Sequence, residues 1–145
     1  MSNDRIIGLD LGTKTLGISM SDITKTVANS FDTIRFNNED YSLLIKPLKE
    51  IIEEYNVSKI VLGFPKNMNN TIGMRAEITM EFKEILESNI DIDVVMQDER
   101  LSSKAADLYM LEGNVSRKKR KQKKDSLAAN IILQSYLDRR DKNGK

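Results

Sequence analysis

The amino-acid sequence predicts an α/β protein: a mixed five-stranded sheet in the order βββαβαβαα, with helices on its faces. Three observations carry that expectation. Up to Phe36, three short segments of alternating apolar and small or polar residues are joined by tight turns, as in an antiparallel meander. From Glu39 the apolar residues recur at helical spacing instead. Beyond Asn56, short apolar runs alternate with helical segments, the pattern of strands added in parallel through helical crossovers. A chain of 145 residues, 39% hydrophobic and 31% charged, is long enough for one domain with a genuine core, placed at 1–138 with a frayed tail over 139–145.

The first strand is Ile6-Ile7-Gly8-Leu9-Asp10-Leu11. Strand side chains alternate, so Ile6, Gly8 and Asp10 share one face while Ile7, Leu9 and Leu11 share the other. Gly12-Thr13-Lys14-Thr15 turns the chain into a second strand, Leu16 to Ser21. Asp22-Ile23-Thr24-Lys25 makes the next turn, and Val27 to Phe36, rich in Val, Phe, Thr and Ile, suits a third strand. Leu43, Leu44, Pro47, Leu48, Ile51 and Ile52 mark the inward stripe of a helix over 39–55, with Pro47 near its start or at a bend.

Lys59 to Pro65 carries a continuous apolar run, a buried strand parallel to the first. The polar loop Lys66 to Thr71 follows at its carboxyl end, where open sheets place ligands. A second helix runs from Met74 to Leu86, with Ala76, Ile78, Phe82, Ile85 and Leu86 inward. Ile92 to Met96 is the fifth strand. A third helix spans about 102–111 and stops at Gly113, and Leu127 to Leu137 is the last.

Absences narrow the chemistry. Without Cys there is no disulfide, thiolate nucleophile or Cys-ligated zinc. Without His there is no Ser-His-Asp triad, histidine base or His-ligated transition metal. An enzyme made from this chain runs on carboxylates, Lys, Tyr or Ser, or on a hard metal held by oxygen. No apolar run is long enough to cross a membrane, and Met-Ser-Asn-Asp-Arg lacks the basic-then-apolar order of a signal peptide, so the expected location is the cytoplasm.

Asp10 is the first candidate for such chemistry. An ionised carboxylate among aliphatic neighbours costs several kcal/mol unless N–H groups, a basic side chain or a metal ion compensate it. The ordinary alternative is an Asp that braces the Gly12-Thr13 turn. Further acids stand at comparable places: the Asp98-Glu99 pair closing the fifth strand, and Asp125 in the first turn of the last helix. Asp10 and that pair end strands whose carboxyl ends point the same way. Asp125 shares a helical face with Ala128, Ala129, Ile132 and Tyr136.

Like charges brought together raise each other's pKa unless a cation lies between them. With no His or Cys, Mg²⁺ or Mn²⁺ on oxygen ligands is the matching ion. Two such ions about 3.5–4 Å apart clamp the attacking and leaving oxygens in phosphodiester hydrolysis. Taken singly, Asp125 is also an ordinary helix cap and Glu99 an ordinary partner for Arg100. Spacing does not separate Asp98 from Glu99.

Net charge is only +1, but its distribution is uneven. Arg117-Lys118-Lys119-Arg120-Lys121-Gln122-Lys123-Lys124 is the one break in composition. By itself it is a self-repelling, solvated run. Its place directly before Asp125 gives it a second reading, as phosphate contacts whose hold weakens with salt. Lys14, Lys66, Asn67, Arg75 and Arg100 are further candidates for nucleic-acid contact. No strand is rich in the aromatics that stack bases.

Four motifs in order resemble the YqgF family: Gly8-Leu9-Asp10-Leu11-Gly12-Thr13-Lys14, Gly63-Phe64-Pro65-Lys66-Asn67-Met68, Asp98-Glu99-Arg100-Leu101-Ser102 and Asp125-Ser126-Leu127-Ala128-Ala129. A lone Asp-Leu-Gly-Thr is also similar to sugar-kinase and actin-like ATPases; the four together are specific and span nearly the whole chain. YqgF members are RNase H-like proteins described as Holliday junction resolvases and as nucleases maturing the 5′ end of pre-16S ribosomal RNA. The resemblance implies an RNase H-like fold and a metal-dependent nuclease with an acidic triad at Asp10, Glu99 and Asp125, favouring Glu99 over Asp98. It points to RNA as first substrate and branched DNA as second, with no membrane partner and with monomer or homodimer both open.

Thr15 stands where the family usually has Arg, Ser102 or Ser103 where Thr is common, and Asn69-Asn70 where Asp-Gly is common, while the acids are intact. Two readings compete with the nuclease. One is an ATPase-type phosphate-binding module, for which 145 residues leave little room. The other is a non-catalytic RNA-binding factor of ribosome assembly, which needs the basic block and no metal.

Overall fold

Five strands form one sheet among the described residues: β1 (Arg5–Leu11), β2 (Thr15–Ser21), β3 (Ala28–Arg35), β4 (Val57–Phe64) and β5 (Asp93–Asp98), in the order β3-β2-β1-β4-β5. A 3₁₀ turn (Tyr41–Leu44) leads into α1 (Ile45–Tyr55), α2 (Asn70–Asn89) links β4 to β5, and α3 spans 128–139. The computed structural model describes residues 4–12, 14–36, 40–64, 70–98 and 128–139, and all side chains within them but those of 70–75 and 98. The helix expected over 102–111 lies outside that set.

β1 is central. It pairs antiparallel with β2 and parallel with β4; β3 joins β2 antiparallel and β5 joins β4 parallel, as the meander and the two apolar runs predict. Alternation along β1 divides the core in two. Ile7, Leu9 and Leu11 pack with Leu16, Ile18, Ile60 and Leu62 beneath Leu44, Leu48, Phe82 and Leu86 of the 3₁₀ turn, α1 and α2. Ile6, Ala28 and Val61 lie on the opposite face beneath Ile132, Leu133 and Leu137 of α3.

A shift in the β2–β3 register between Ile18 and Ser19 completes this division. Ser19 pairs with Ser30 and Ile18 with Asp32, so Phe31 is the extra residue and the alternation along β3 reverses there. Ala28 thereby reaches the α3 core while Ile34 and Phe36 reach the other. Phe31 itself turns edge-on to Tyr55, with ring centroids 5.2 Å apart.

Several expected boundaries move. Asn56 alone makes the exit from α1, adopting φ 54°, ψ 54° with its N–H donating to Ile52 O, so β4 begins at Val57. Asn accepts that left-handed conformation more readily than most residues. The helix expected from residue 39 is a 3₁₀ turn followed by α1. At about three residues per turn the 3₁₀ segment rotates its side chains differently from an α-helix. Leu43 is accordingly 57% exposed rather than inward, and Ile45 is buried. Pro47 falls in the first turn of α1, where a missing N–H costs nothing. α2 starts at Asn70 rather than Met74, which shortens the polar loop after β4. Its buried line is Thr79, Phe82 and Leu86, with Ala76, Ile78 and Ile85 half-buried.

Candidate active site

Asp10 lies near the carboxyl end of β1, the strand at which the sheet changes from antiparallel to parallel neighbours. The carboxyl ends of β1, β4 and β5 therefore share one edge. The side chain is half-buried. On β2 its partner is Gly17, and Gly17 pairs with Thr33 on β3. One step beyond the Leu9–Leu62 pair, Gly63 of β4 comes level with Asp10, and Gly63 pairs with Gln97 of β5. The row across this face thus reads Thr33, Gly17, Asp10, Gly63, Gln97. The residues directly level with Asp10 on the neighbouring strands are both glycines. The turn beyond it closes through Gly12 N–H donating to Thr15 O at 2.8 Å.

The same face carries α3, and small residues bring it close. A Cβ at Gly8 would lie 2.5 Å from Ser19 Oγ, 2.7 Å from Leu133 Cβ and 3.0 Å from Ala129 O, so only glycine lets the helix rest on β1 there. Ser19, the cross-strand partner of Gly8, donates its hydroxyl to Ala129 O at 2.7 Å. Gln134 accepts from Ala28 N–H at 2.8 Å and donates to Thr26 O at 3.0 Å, which fixes the helix against the β2–β3 hairpin. Lys59 donates to the Tyr136 hydroxyl at 3.1 Å, and Arg139 to Gln97 Oε1 at 2.8 Å. Gly8 sets the height of α3, Ser19 its register and Gln134 its rotation. Sequence reasoning did not single out Ser19 or Gln134. The small residues of β2 were a signal for the first; a lone Gln on a helix is none for the second.

Of the predicted site residues, Asp10 stands at the sheet edge and Lys14 is exposed in the β1–β2 turn at that same edge. Arg75 belongs to α2, where its backbone alone is described. Glu99, Asp125, Lys66, Asn67, Arg100, Arg117, Lys118, Lys119, Arg120, Lys121, Lys123 and Lys124 lie outside the described residues. Among the described residues no three acids are grouped to hold a metal ion.

Two described carboxyls with a lowered pKa, Asp4 and Asp22, lie at the other end of the sheet. The Ser58 hydroxyl and the Lys25 ammonium, 2.9 Å away, hold Asp4 below its ordinary range. The Thr24 hydroxyl and the Thr26 N–H do the same for Asp22, which caps the β2–β3 turn with bonds of 2.9 Å from Thr26 N–H and 3.1 Å from Val27 N–H. Both brace the fold rather than the site.

Three antiparallel strands extended by two parallel ones, with an acid closing the central strand, define an RNase H-like domain. Solved structures agree on the fold. Thermus thermophilus RuvC in complex with a Holliday junction substrate superposes with a TM-score of 0.57 at 11% identity, covering 94% of this chain and 95% of RuvC. The Fowlpox virus Holliday junction resolvase gives 0.54 at 12% identity, covering 92% and 98%.

The RuvX family model, described as a Holliday junction resolvase, matches residues 4–139, and the chain belongs to that family. Two relatives bear the name "Putative pre-16S rRNA nuclease". One, from Geobacillus sp. (strain WCH70), is 52% identical over 134 residues, covering 92% of this chain and 97% of its own. The other, from Staphylococcus aureus (strain JH9), is 50% identical over 139 residues, covering 95% and 98%.

Proposed function

We propose that this chain is a metal-dependent nuclease that hydrolyses phosphodiester bonds in structured RNA, with maturation of the 5′ end of pre-16S rRNA as its reaction and 1–138 as its nuclease domain. The observation that carries the reading is Asp10: a half-buried carboxylate at the carboxyl end of the central strand, opposite Gly17 of β2 and one residue past the Leu9–Leu62 pair with β4. Relatives that bear the nuclease name are 50–52% identical over nearly the whole chain.

The register supports the acids proposed beside it. Val95 packs with the α3 core and Gln97 bonds Arg139 of α3, so these odd positions of β5 share the face of Asp10. Glu99 is the next odd position, which favours it over Asp98. Asp125 precedes Ala129 by one helical turn of sequence, and Ala129 is the residue that meets Gly8 and Ser19.

Carboxylate oxygens are hard donors, and a chain without His or Cys suits Asp10, Glu99 and Asp125 to Mg²⁺ or Mn²⁺. Such ions, when bound, would supply an activated water and neutralise charge on the phosphate oxygens. Asp10, Glu99 and Asp125 are the residues that would hold such an ion. Arg117, Lys118, Lys119, Arg120, Lys121, Lys123 and Lys124, together with Lys14, Lys66, Asn67, Arg75 and Arg100, hold the RNA backbone through its phosphates.

The second reading is a four-way DNA junction as substrate, favoured by the description of the family model. A junction enzyme cuts two strands and calls for a dimer; an RNA processor does not. The test is cleavage of a labelled ribosomal-precursor RNA with Mg²⁺ or Mn²⁺, wild type beside Asp10→Asn, with a four-way DNA junction in parallel. The expected result is RNA cleavage that falls by about 100-fold or more in the variant, at least the loss seen for outer-shell partners of a metal, with binding retained. Cleavage of the junction alone moves the substrate to DNA. Tight, salt-sensitive RNA binding with no cleavage by either protein makes the chain a non-catalytic assembly factor.

A further inference from the structure

We infer that Arg35 is a substrate-binding residue that, with Lys14, holds a backbone phosphate of the RNA beside the one attacked at Asp10. The inference rests on the nuclease reading for its position relative to the cut, and on the sheet register for everything else.

Asp10 pairs with Gly17, Gly17 with Thr33, and Thr15 with Arg35. Directly opposed residues of an antiparallel pair point to the same face. The odd positions of β2 face α3, because Ser19 bonds Ala129 there. Thr33 and Arg35 therefore share the face of Asp10. An independent observation agrees: Ile34 and Phe36, the alternating neighbours of Arg35, pack into the core on the other side. Strands lie about 4.8 Å apart and rise about 3.4 Å per residue. That places the Arg35 backbone about 10 Å across the sheet and about 7 Å along it from that of Asp10.

The register shift at Ile18/Ser19 makes this possible. Without it, the acidic Asp32 and the apolar Ile34 would occupy the active face, and Arg35 would point toward α1. With it, Asp32 pairs with Ile18 on the far face, and the near face at this corner carries the cation. Phe36 N–H donates to Lys14 O at 2.9 Å, tying the end of β3 to the β1–β2 turn. Both Arg35 and Lys14 are exposed, and neither has an ion pair among the described residues. An unpaired guanidinium presents a planar fork that matches two phosphate oxygens.

The competing role for a charged residue on an edge strand is to block pairing with another sheet. The two roles separate in a salt titration. Asp10→Asn protein, used to separate binding from cleavage, is titrated with a labelled precursor-rRNA fragment across a range of salt concentrations, with and without Arg35→Ala or Arg35→Lys. Arg35→Ala is expected to weaken binding several-fold at about 0.1 M salt and to reduce the slope of log K against log salt by about one, with an unchanged thermal midpoint. Arg35→Lys restores the slope. An unchanged slope and affinity in Arg35→Ala overturns the inference, and self-association of that variant then assigns Arg35 to edge protection. If wild-type cleavage fails while the slope still falls, RNA binding by Arg35 stands and the nuclease reading alone is lost.

Discussion

At Gly8 the missing side chain is the structural fact, since a methyl group there meets Ser19 Oγ, Leu133 Cβ and the Ala129 carbonyl at once. Two of those three belong to α3, so relief of the clash must lift the helix. Gly8→Ala is expected to lower stability by about 1–3 kcal/mol, the cost of overpacking a filled core, read as the shift in urea midpoint. Ser19→Ala should cost about 1 kcal/mol, because one buried hydrogen bond is lost with little volume. Because α3 enters from the Asp125 segment, Gly8→Ala should also slow RNA cleavage at temperatures where the variant is fully folded; unaltered cleavage would separate α3 height from activity. The face of Gly8 and Asp10 was legible in the sequence because strand alternation admits only two answers. The contact that makes Gly8 indispensable was not, because Ala129 and Leu133 belong to a helix far along the chain and only the folded register brings them there.

Among elements, the amino ends of β1 and β4 and the β2–β3 turn are joined through Asp4. Its carboxylate takes the Ser58 hydroxyl and the Lys25 ammonium, and Lys25 reaches it from a turn position with φ 60°. Asp4 has a folded pKa below its ordinary value of 3.8, so the folded protein binds fewer protons than the unfolded chain in the acid range. Its contribution to stability is complete above the ordinary value and is lost as pH falls through the lowered one. Thermal midpoints of wild type should therefore decline on acidification below about pH 4, and Asp4→Asn should start lower at neutral pH and decline less steeply. Parallel acid limbs in the two proteins would place the linkage elsewhere.

Element order and strand pairing were legible for the same reason that alternation was: apolar period and turn residues fix them locally. The exceptions have local physical causes. Leu43 left the core because 3₁₀ geometry preceded α1, and Thr79 entered the line of Phe82 and Leu86 although an apolar pattern passes over a hydroxyl. The register shift that aims Arg35 leaves no compositional mark at all, since Phe31 and Ile34 suit either face of a strand.

Over the whole molecule, a net charge of +1 conceals a divided surface. The block Arg117–Lys124 carries seven positive charges, which leaves the remainder of the chain at +1 − 7 = −6. Part of that deficit lies on the helices opposite α3, where the exposed Glu50, Glu53 and Glu54 of α1 and Glu77, Glu81, Glu84 and Glu87 of α2 outnumber Lys46, Lys49, Arg75 and Lys83. In the proposed nuclease such a field would disfavour phosphates on the α1–α2 side and leave the face of Asp10 and Arg35 to the RNA. Replacing Glu77, Glu81 and Glu84 together with Gln tests this. Glu77 and Glu81 are like charges one turn apart, so stability should rise slightly, by about 0.2–0.5 kcal/mol. RNA binding should tighten at low salt, and the gain should vanish near 1 M, where the screening length is about 3 Å. The position of the cut should not move. Weaker binding at every salt concentration would instead mean that the Glu77–Glu84 stretch of α2, beyond Arg75, touches the substrate directly, and the orientation over the α3 face would have to be abandoned.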